Sequence, residues 1–134
     1  MGIKLSSGII HDSIHNDPWV AIRADFHESI KNAQYEIIIT PKMSFGTGHH
    51  ATTSMMIKMM SELEFTEKTV LDFGTGTGIL AILSEKLGAS EIIAIDNDDH
   101  SIVNASENLE ANNCSRIQLI KASSVRKIIN LISS

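Results

Sequence analysis

The sequence has one cysteine, two prolines, few aromatic residues and no long apolar run. A single cysteine excludes an internal disulfide and favours a reducing, cytoplasmic environment. No stretch approaches the roughly 20 consecutive apolar residues that cross a bilayer, so we expect no membrane partner. The formal net charge is −5. Direct binding to nucleic acid is therefore not expected, because proteins that bind a phosphate backbone usually present a basic face.

The length and the apolar content are those of one globular domain. The chain has 134 residues, of which 43% are hydrophobic, and this is enough to form a core. Residues 1–17 combine turn-forming residues and histidines with little periodicity, and we interpret them as a leader or linker remnant. The folded part is therefore expected to comprise residues 18–134.

Two strands and one helix are predicted in the first half of the chain. Residues 20–24 and 35–40 contain β-branched and apolar residues, and the turn-like connection between them favours an antiparallel pair. Four apolar residues then recur at helical spacing, which predicts a helix that packs this face into the core. They are Met56, Met59, Met60 and Leu63.

Strands and helices alternate in the second half. Three segments, TVLDF, EIIAID and RIQLIK, are predicted as strands. The helix after the first strand should end at Gly88, and the helix after the second should begin at Asp98 and Asp99 and end at the Asn112–Asn113 pair. The predicted apolar faces of these helices are Leu80, Leu83 and Leu87, and Ile102, Ala105 and Leu109. This order predicts an α/β fold with three parallel strands in the spatial order 3-2-1, flanked by helices.

Three glycines lie where the first of these strands meets the following helix. Gly74, Gly76 and Gly78 alternate within the segment DFGTGTG. Glycine allows the backbone to turn sharply and lets a ligand approach the unpaired N–H groups of a helix start. Asp96 ends the next strand, close to the separation of roughly 20 residues at which an acidic residue accepts the hydroxyls of a ribose. The sequence therefore predicts a site for a ribose-bearing ligand.

The spacing of the glycines helps to choose between two such ligands. The dinucleotide fingerprint G-x-G-x-x-G requires a third glycine where this sequence has Ile79. Asp72 precedes the loop, and a carboxylate there suits an amino group better than a pyrophosphate, which prefers a clear helix N-terminus. S-adenosylmethionine is therefore favoured over NAD as the cofactor. An NAD-dependent oxidoreductase remains the less favoured alternative.

Two segments carry a family resemblance that covers about residues 35–119. DFGTGTGILAI and AIDND resemble the cofactor motifs of class I methyltransferases, and MSFGTGHHATT resembles the FGTGTHPTT signature of the ribosomal protein L11 methyltransferases, or PrmA type. The resemblance implies a partial Rossmann-like fold with the N-terminal part of a catalytic domain in residues 18–134. It also implies transfer of methyl groups from S-adenosylmethionine to amino groups of a large-subunit ribosomal protein. The expected cofactor-binding residues are Phe45, Thr47, Thr53, Asp72, Gly74, Gly76, Gly78, Asp96 and Asn97.

The sequence also departs from this family in several places. His49 and Ala51 stand where the signature usually has Thr and Pro. We predict no metal site at His49–His50, and a proton-accepting role for either histidine stays open, so the catalytic residue is left unassigned. The C-terminal residues Val125, Ile128, Ile129 and Ile132 predict an amphipathic helix in place of further strands. The chain is thus interpreted as part of a longer enzyme. A non-catalytic cofactor-binding module is kept as an alternative function. We also expect the chain to self-associate through the exposed edge of the first parallel strand.

Overall fold

The computed structural model describes residues 7–26, 28–29, 32–40, 50–124, 126–127 and 129. The chain divides into two compact units, Met1–Glu64 and Phe65–Ser134. Each unit has its own three-stranded sheet. In the described part of the chain, no helix is both long and apolar enough to cross a membrane.

The first unit contains a sheet in the order β1-β2-β3 and one helix. The strands are β1 (Ser7–His11), β2 (Pro18–Arg23) and β3 (Tyr35–Ile38). β1 pairs antiparallel with β2, whereas β3 pairs parallel with β2. A T-shaped contact between Trp19 and Tyr35, with ring centroids 6.0 Å apart, lies across the parallel pair.

Two sequence predictions for this unit are wrong. The segments around β2 and β3 were predicted to pair antiparallel, but their connection is long enough to allow a parallel crossover. No strand was predicted within residues 1–17, yet β1 lies there and supplies the antiparallel partner of β2. The antiparallel pair therefore exists, but it is formed by different strands.

The helix α1 (His50–Met60) buries a different face from the one predicted. Ile57 is fully buried and Met60 is 7% exposed, whereas Met59 is 55% exposed. Met56 and Leu63 are exposed as well. The predicted methionine stripe is thus wrong except at Met60, because the buried face is centred on the single isoleucine.

The second unit has the predicted α/β architecture. Its elements are β4 (Thr69–Phe73), α2 (Ile79–Lys86), β5 (Glu91–Asp96), α3 (Asp99–Ala111) and β6 (Ile117–Lys121). The three strands are parallel in the order β4-β5-β6, which confirms the predicted 3-2-1 order. β5 lies in the centre and is buried along four consecutive residues, as expected for a strand covered on both faces.

The helix boundaries in this unit follow the predicted capping residues. Gly88 has φ +103° immediately after the C-cap of α2, a conformation that favours glycine. The Asp98 side chain accepts a hydrogen bond from the Ser101 N–H and caps α3, with Asp99 in the first turn. α3 ends at the predicted Asn112–Asn113 pair. The predicted C-terminal helix lies largely outside the described residues, which include only Ile129 of its four apolar positions.

Candidate functional site

The glycine loop lies at the carboxyl ends of β4 and β5. The register pairs Phe73 with Ile95, so the first loop residue, Gly74, follows β4 beside the end of β5. The N–H groups of Gly74 and Thr75 both donate to the Ile95 carbonyl oxygen, each at 2.8 Å. The start of the loop is therefore fixed to the central strand, at the sheet edge where open α/β folds bind ligands.

Asp96 is held by two backbone hydrogen bonds at the end of β5. One carboxylate oxygen accepts from the Gly76 N–H at 2.9 Å, and the other accepts from the Asp98 N–H at 3.0 Å. An ionised carboxylate offers about four acceptor sites. The carboxylate of Asp96 is thus oriented by the loop and retains acceptor capacity for a ligand.

A small cavity lies beside this carboxylate. It has a volume of about 120 Å³ and is lined by Phe73, Gly74, Asp96, Asn97, Ala122 and Ser123. Its volume is below the roughly 300 Å³ at which ligand pockets begin, so it would hold only part of a nucleoside-sized ligand. Gly74 has φ +81°, and a Cβ built on it would have no atom within 4 Å. Both the turn and the open space at its Cα are consistent with a backbone that a ligand can approach.

Asp72 lies on the same face of the sheet as Asp96 but does not line this cavity. Its partner in β5 is Ala94, two residues before Asp96. The Thr75 hydroxyl donates to the Asp72 carboxylate at 2.7 Å. Burial raises the pKa of Asp72 above its ordinary value, and the charge of Asp96 raises it further, against the opposing hydrogen bond from Thr75. The two carboxyl groups therefore lie on one face of the sheet beside the loop, where the charge of Asp96 acts on Asp72.

Gly76 and Gly78 shape the loop rather than line the cavity. Gly76 has φ +57° and places its N–H on Asp96. Gly78 has φ +86° and is the N-cap residue of α2. A Cβ built on Gly78 would lie 3.4 Å from the Cβ of Ala105 in α3, so the loop packs tightly there. Both positions thus favour glycine for conformational reasons, independently of any ligand.

Of the remaining predicted site residues, one lines the cavity, one belongs to the first unit and two lie outside the described residues. Asn97 follows Asp96 and lines the cavity. Thr53 belongs to the first unit, in the first turn of α1, and its side chain is half-buried. Phe45 and Thr47 lie outside the described residues. The structure therefore brings Gly74, Asp96 and Asn97 together around one cavity.

Sequence reasoning missed several residues at the site. Phe73, Ala122 and Ser123 line the cavity, and Asn108 contacts the loop from α3. Phe73 and the Ala122–Ser123 pair occur at the carboxyl ends of parallel strands, and topology alone could have indicated them. No pattern in the sequence indicated Asn108, because polar residues in helices are usually exposed.

Two other features, a cysteine and a cluster of acidic and histidine side chains, have structural explanations that require no functional site. Burial raises the pKa of Cys114 to about 11, so this thiol is not an activated nucleophile. Side chains of Asp12, His15 and Asp17 come close together on a loop of the first unit. The Asp12 carboxylate there accepts the backbone N–H groups of Ile14, His15 and Asp17, which accounts for this arrangement as a turn.

Comparison with known proteins identifies similar sequences. A family model described as ribosomal protein L11 methyltransferase (PrmA) matches residues 14–132. The chain is 50% identical over 91 residues to the ribosomal protein L11 methyltransferase of Porphyromonas gingivalis, covering 68% of the chain and 31% of that protein. It is 43% identical over 110 residues to the enzyme of the same name from Chlorobaculum tepidum, covering 80% of the chain and 38% of that protein. The chain therefore spans about a third of the length of these curated relatives.

A solved structure has a similar fold. The crystal structure of ribosomal protein L11 methylase from Lactobacillus delbrueckii subsp. bulgaricus superposes with a TM-score of 0.69 at 32% identity. The superposition covers 90% of this chain and 59% of that structure. The likeness of fold therefore extends over most of this chain.

Proposed function

Because this chain belongs to the ribosomal protein L11 methyltransferase family, we propose that it binds S-adenosylmethionine at the glycine loop. We further propose that the whole protein transfers the methyl group to amino groups of a large-subunit ribosomal protein. The names of its relatives describe them as methyltransferases of ribosomal protein L11. The observation that carries the cofactor proposal is the position of the Asp96 carboxylate. It lines the same cavity as Gly74, at the carboxyl ends of parallel strands.

The residues present fit a ribose and an amino-acid tail. The remaining acceptor sites of Asp96 suit the two hydroxyls of a ribose, which are both donors. The open space at Gly74 lets a ligand approach the backbone. Asn97 and Ser123 supply polar groups on the same cavity. Thr53, Phe45 and Thr47 remain proposed contacts on the basis of the signature that they match.

The charge of the site favours an ammonium group over a pyrophosphate. Burial raises the pKa of Asp72, and repulsion by the charge of Asp96 raises it further. A cation beside them would relieve this repulsion, whereas a doubly charged pyrophosphate would increase it. The α-amino group of S-adenosylmethionine supplies such a cation. An NAD-dependent oxidoreductase is therefore the less favoured alternative.

The chemistry divides between the cofactor and the protein. When bound, S-adenosylmethionine supplies a methyl group already activated by its sulfonium. The residues described here bind and orient that cofactor: Asp96 would hold the ribose, and the loop from Gly74 to Gly78 would hold the tail. No group in the described residues is assigned as a catalytic base. An acceptor amine must lose its proton before it can attack, and we propose that solvent accepts this proton.

The proposed partners follow from the same family. The substrate is a ribosomal protein, and the cytoplasm is the proposed location, in keeping with the single cysteine. Neither a membrane nor a direct nucleic-acid contact is proposed. A second copy of the chain is a further proposed partner through the edge of β4, which pairs only with β5 among the described strands.

Calorimetric titration tests the cofactor assignment. We expect S-adenosylmethionine to bind at one site and NAD to give no heat above dilution. Binding of NAD alone would replace this proposal with the oxidoreductase alternative. Transfer of a labelled methyl group to ribosomal protein then separates an active enzyme from a non-catalytic binding module, and it should be measured with this chain and with the full-length protein.

A further inference from the structure

The face of α3 that is directed into the second unit is unusually polar. Asn108 is fully buried, Asn104 is 1% exposed and Ser101 is 7% exposed. Burying an amide is unfavourable unless it forms hydrogen bonds, and small apolar residues usually occupy such helix positions. A fully buried asparagine therefore requires a specific partner.

The partner of the Asn108 amide is the glycine loop. Its Nδ2 group donates to the carbonyl oxygen of Thr77 at 2.9 Å. Thr77 lies between Gly76 and Gly78, just before α2 begins. The next carbonyl along the chain, that of Gly78, accepts from the Ile82 N–H within the first turn of α2. The Thr77 carbonyl precedes this turn, and the Asn108 side chain supplies its hydrogen bond.

The same helix also limits the position of Gly78. Its Cα lies against Ala105 and Leu109, and a Cβ built there would be 3.4 Å and 3.7 Å from their side chains. The loop is therefore fixed at both ends. Its start is bonded to Ile95 in β5, and its end is held by Asn108 and the adjacent surface of α3.

We propose that Asn108 is a positioning residue that holds the glycine loop in the shape required for cofactor binding. The inference rests on the proposed function. By fixing the Thr77 carbonyl, Asn108 sets where the neighbouring Gly76 N–H meets the Asp96 carboxylate. Loss of this hydrogen bond frees the end of the loop and lets the carboxylate rotate from its place at the cavity. Asn108 acts through the loop and does not itself contact the ligand.

Two isosteric variants test this role. Asn108→Leu removes the donor, and Asn108→Asp replaces it with a carboxylate that repels the Thr77 carbonyl. We expect both to raise the Kd for S-adenosylmethionine by roughly fivefold to tenfold, measured by calorimetry and corrected for the folded fraction. In ligand-free ¹⁵N spectra the amide resonances of Gly76 and Gly78 should shift. Ile92→Val is the matched control, because it removes a buried methyl group at the opposite end of β5 and should leave both readouts unchanged.

The outcomes separate this inference from the proposed function. If the wild-type chain binds S-adenosylmethionine and both Asn108 variants bind it equally well, the positioning role is refuted. If the wild type does not bind it, the proposed function fails, and the positioning role is judged by the ligand-free amide shifts alone. If neither variant folds, the inference is tested on the wild type. Exchange of the Asn108 side-chain amide protons with solvent should slow on addition of S-adenosylmethionine. An unchanged exchange rate contradicts the inference.

Discussion

The carboxylate of Asp96 has a structural role and a proposed role in ligand binding, and the two have different consequences. Its hydrogen bonds with the N–H groups of Gly76 and Asp98 are internal and contribute to the shape of the loop. Asp96 also lines the cavity, where we propose that its remaining acceptor sites bind the ligand. A substitution therefore affects folding through the first set of bonds and ligand binding through the second, and a test must measure both.

Replacing Asp96 with asparagine should weaken cofactor binding by about 10- to 100-fold, because hydrogen bonds to a charged group contribute roughly 1.5–3 kcal/mol. The measurement is the Kd for S-adenosylmethionine. Glu91→Gln is the matched control, since Glu91 is an exposed acid at the other end of the same strand. Equal affinities of wild type and Asp96→Asn would remove Asp96 from the proposed ribose site.

Asp72 should make stability depend on pH. Because burial raises its pKa in the folded state above the ordinary value of 3.8, the folded state binds this proton more tightly than the unfolded state. The favourable contribution of Asp72 to the free energy of unfolding is present in full below pH 3.8. It is lost as the pH rises through the elevated pKa of the folded state. The measurement is the free energy of unfolding against pH for wild type and Asp72→Asn. The free energy of unfolding of the variant should not show this decline with rising pH. If the curves of the variant and the wild type run parallel, the pKa of Asp72 is not raised in the folded state.

Among the secondary-structure elements, those of the second unit were the most predictable. β4, β5 and β6 follow continuous apolar runs, and Gly88 and Asp98 mark helix boundaries through local backbone chemistry. These signals are local, so they are available in a sequence. The choice of helix face depends on the neighbouring element instead, and there the predictions were weaker.

The two least accurate predictions concern α1 and α3. In α1 most of the methionines are exposed and the buried face is centred on Ile57. Because methionines recur at helical spacing, the periodicity favoured the wrong face. In α3 Ala105 is buried as predicted, but Ile102 and Leu109 are only half-buried, and the polar residues Asn104 and Asn108 occupy the centre of the buried face. The glycine loop that bonds to Asn108 is distant in sequence, so no local pattern could reveal it.

The corrected face of α1 can be tested with a pair of substitutions. Ile57→Ala should destabilise the first unit by about 2–5 kcal/mol, the usual cost of truncating a buried aliphatic side chain. Met59→Ala should change stability by less than about 0.5 kcal/mol, because its side chain is 55% exposed. Urea denaturation followed by Trp19 fluorescence is the measurement, since this only tryptophan lies in β2. Similar losses of stability in both variants would support the originally predicted methionine face.

For the molecule as a whole, the two edges of the parallel sheet differ in character. β6 carries Lys121 and follows Arg116, and charged residues discourage pairing with another chain. β4 presents Leu71 and Phe73, which are 50% and 51% exposed. Among the described strands β4 pairs only with β5, so its other side offers backbone groups for pairing. The β4 edge is therefore the more favourable one for association.

We propose that a second copy of the chain pairs with this edge through complementary charges. Antiparallel pairing of two β4 strands centred on Val70 places Lys68 opposite Asp72 of the partner, and the symmetry repeats the contact. We therefore expect light scattering to show a dimer fraction that rises with protein concentration. Leu71→Lys should restore a monomer, whereas Val103→Lys, at an exposed apolar residue of α3, should not. A wild-type chain that stays monomeric at every concentration tested would refute pairing through β4, and dimers that persist in Leu71→Lys would place the interface elsewhere.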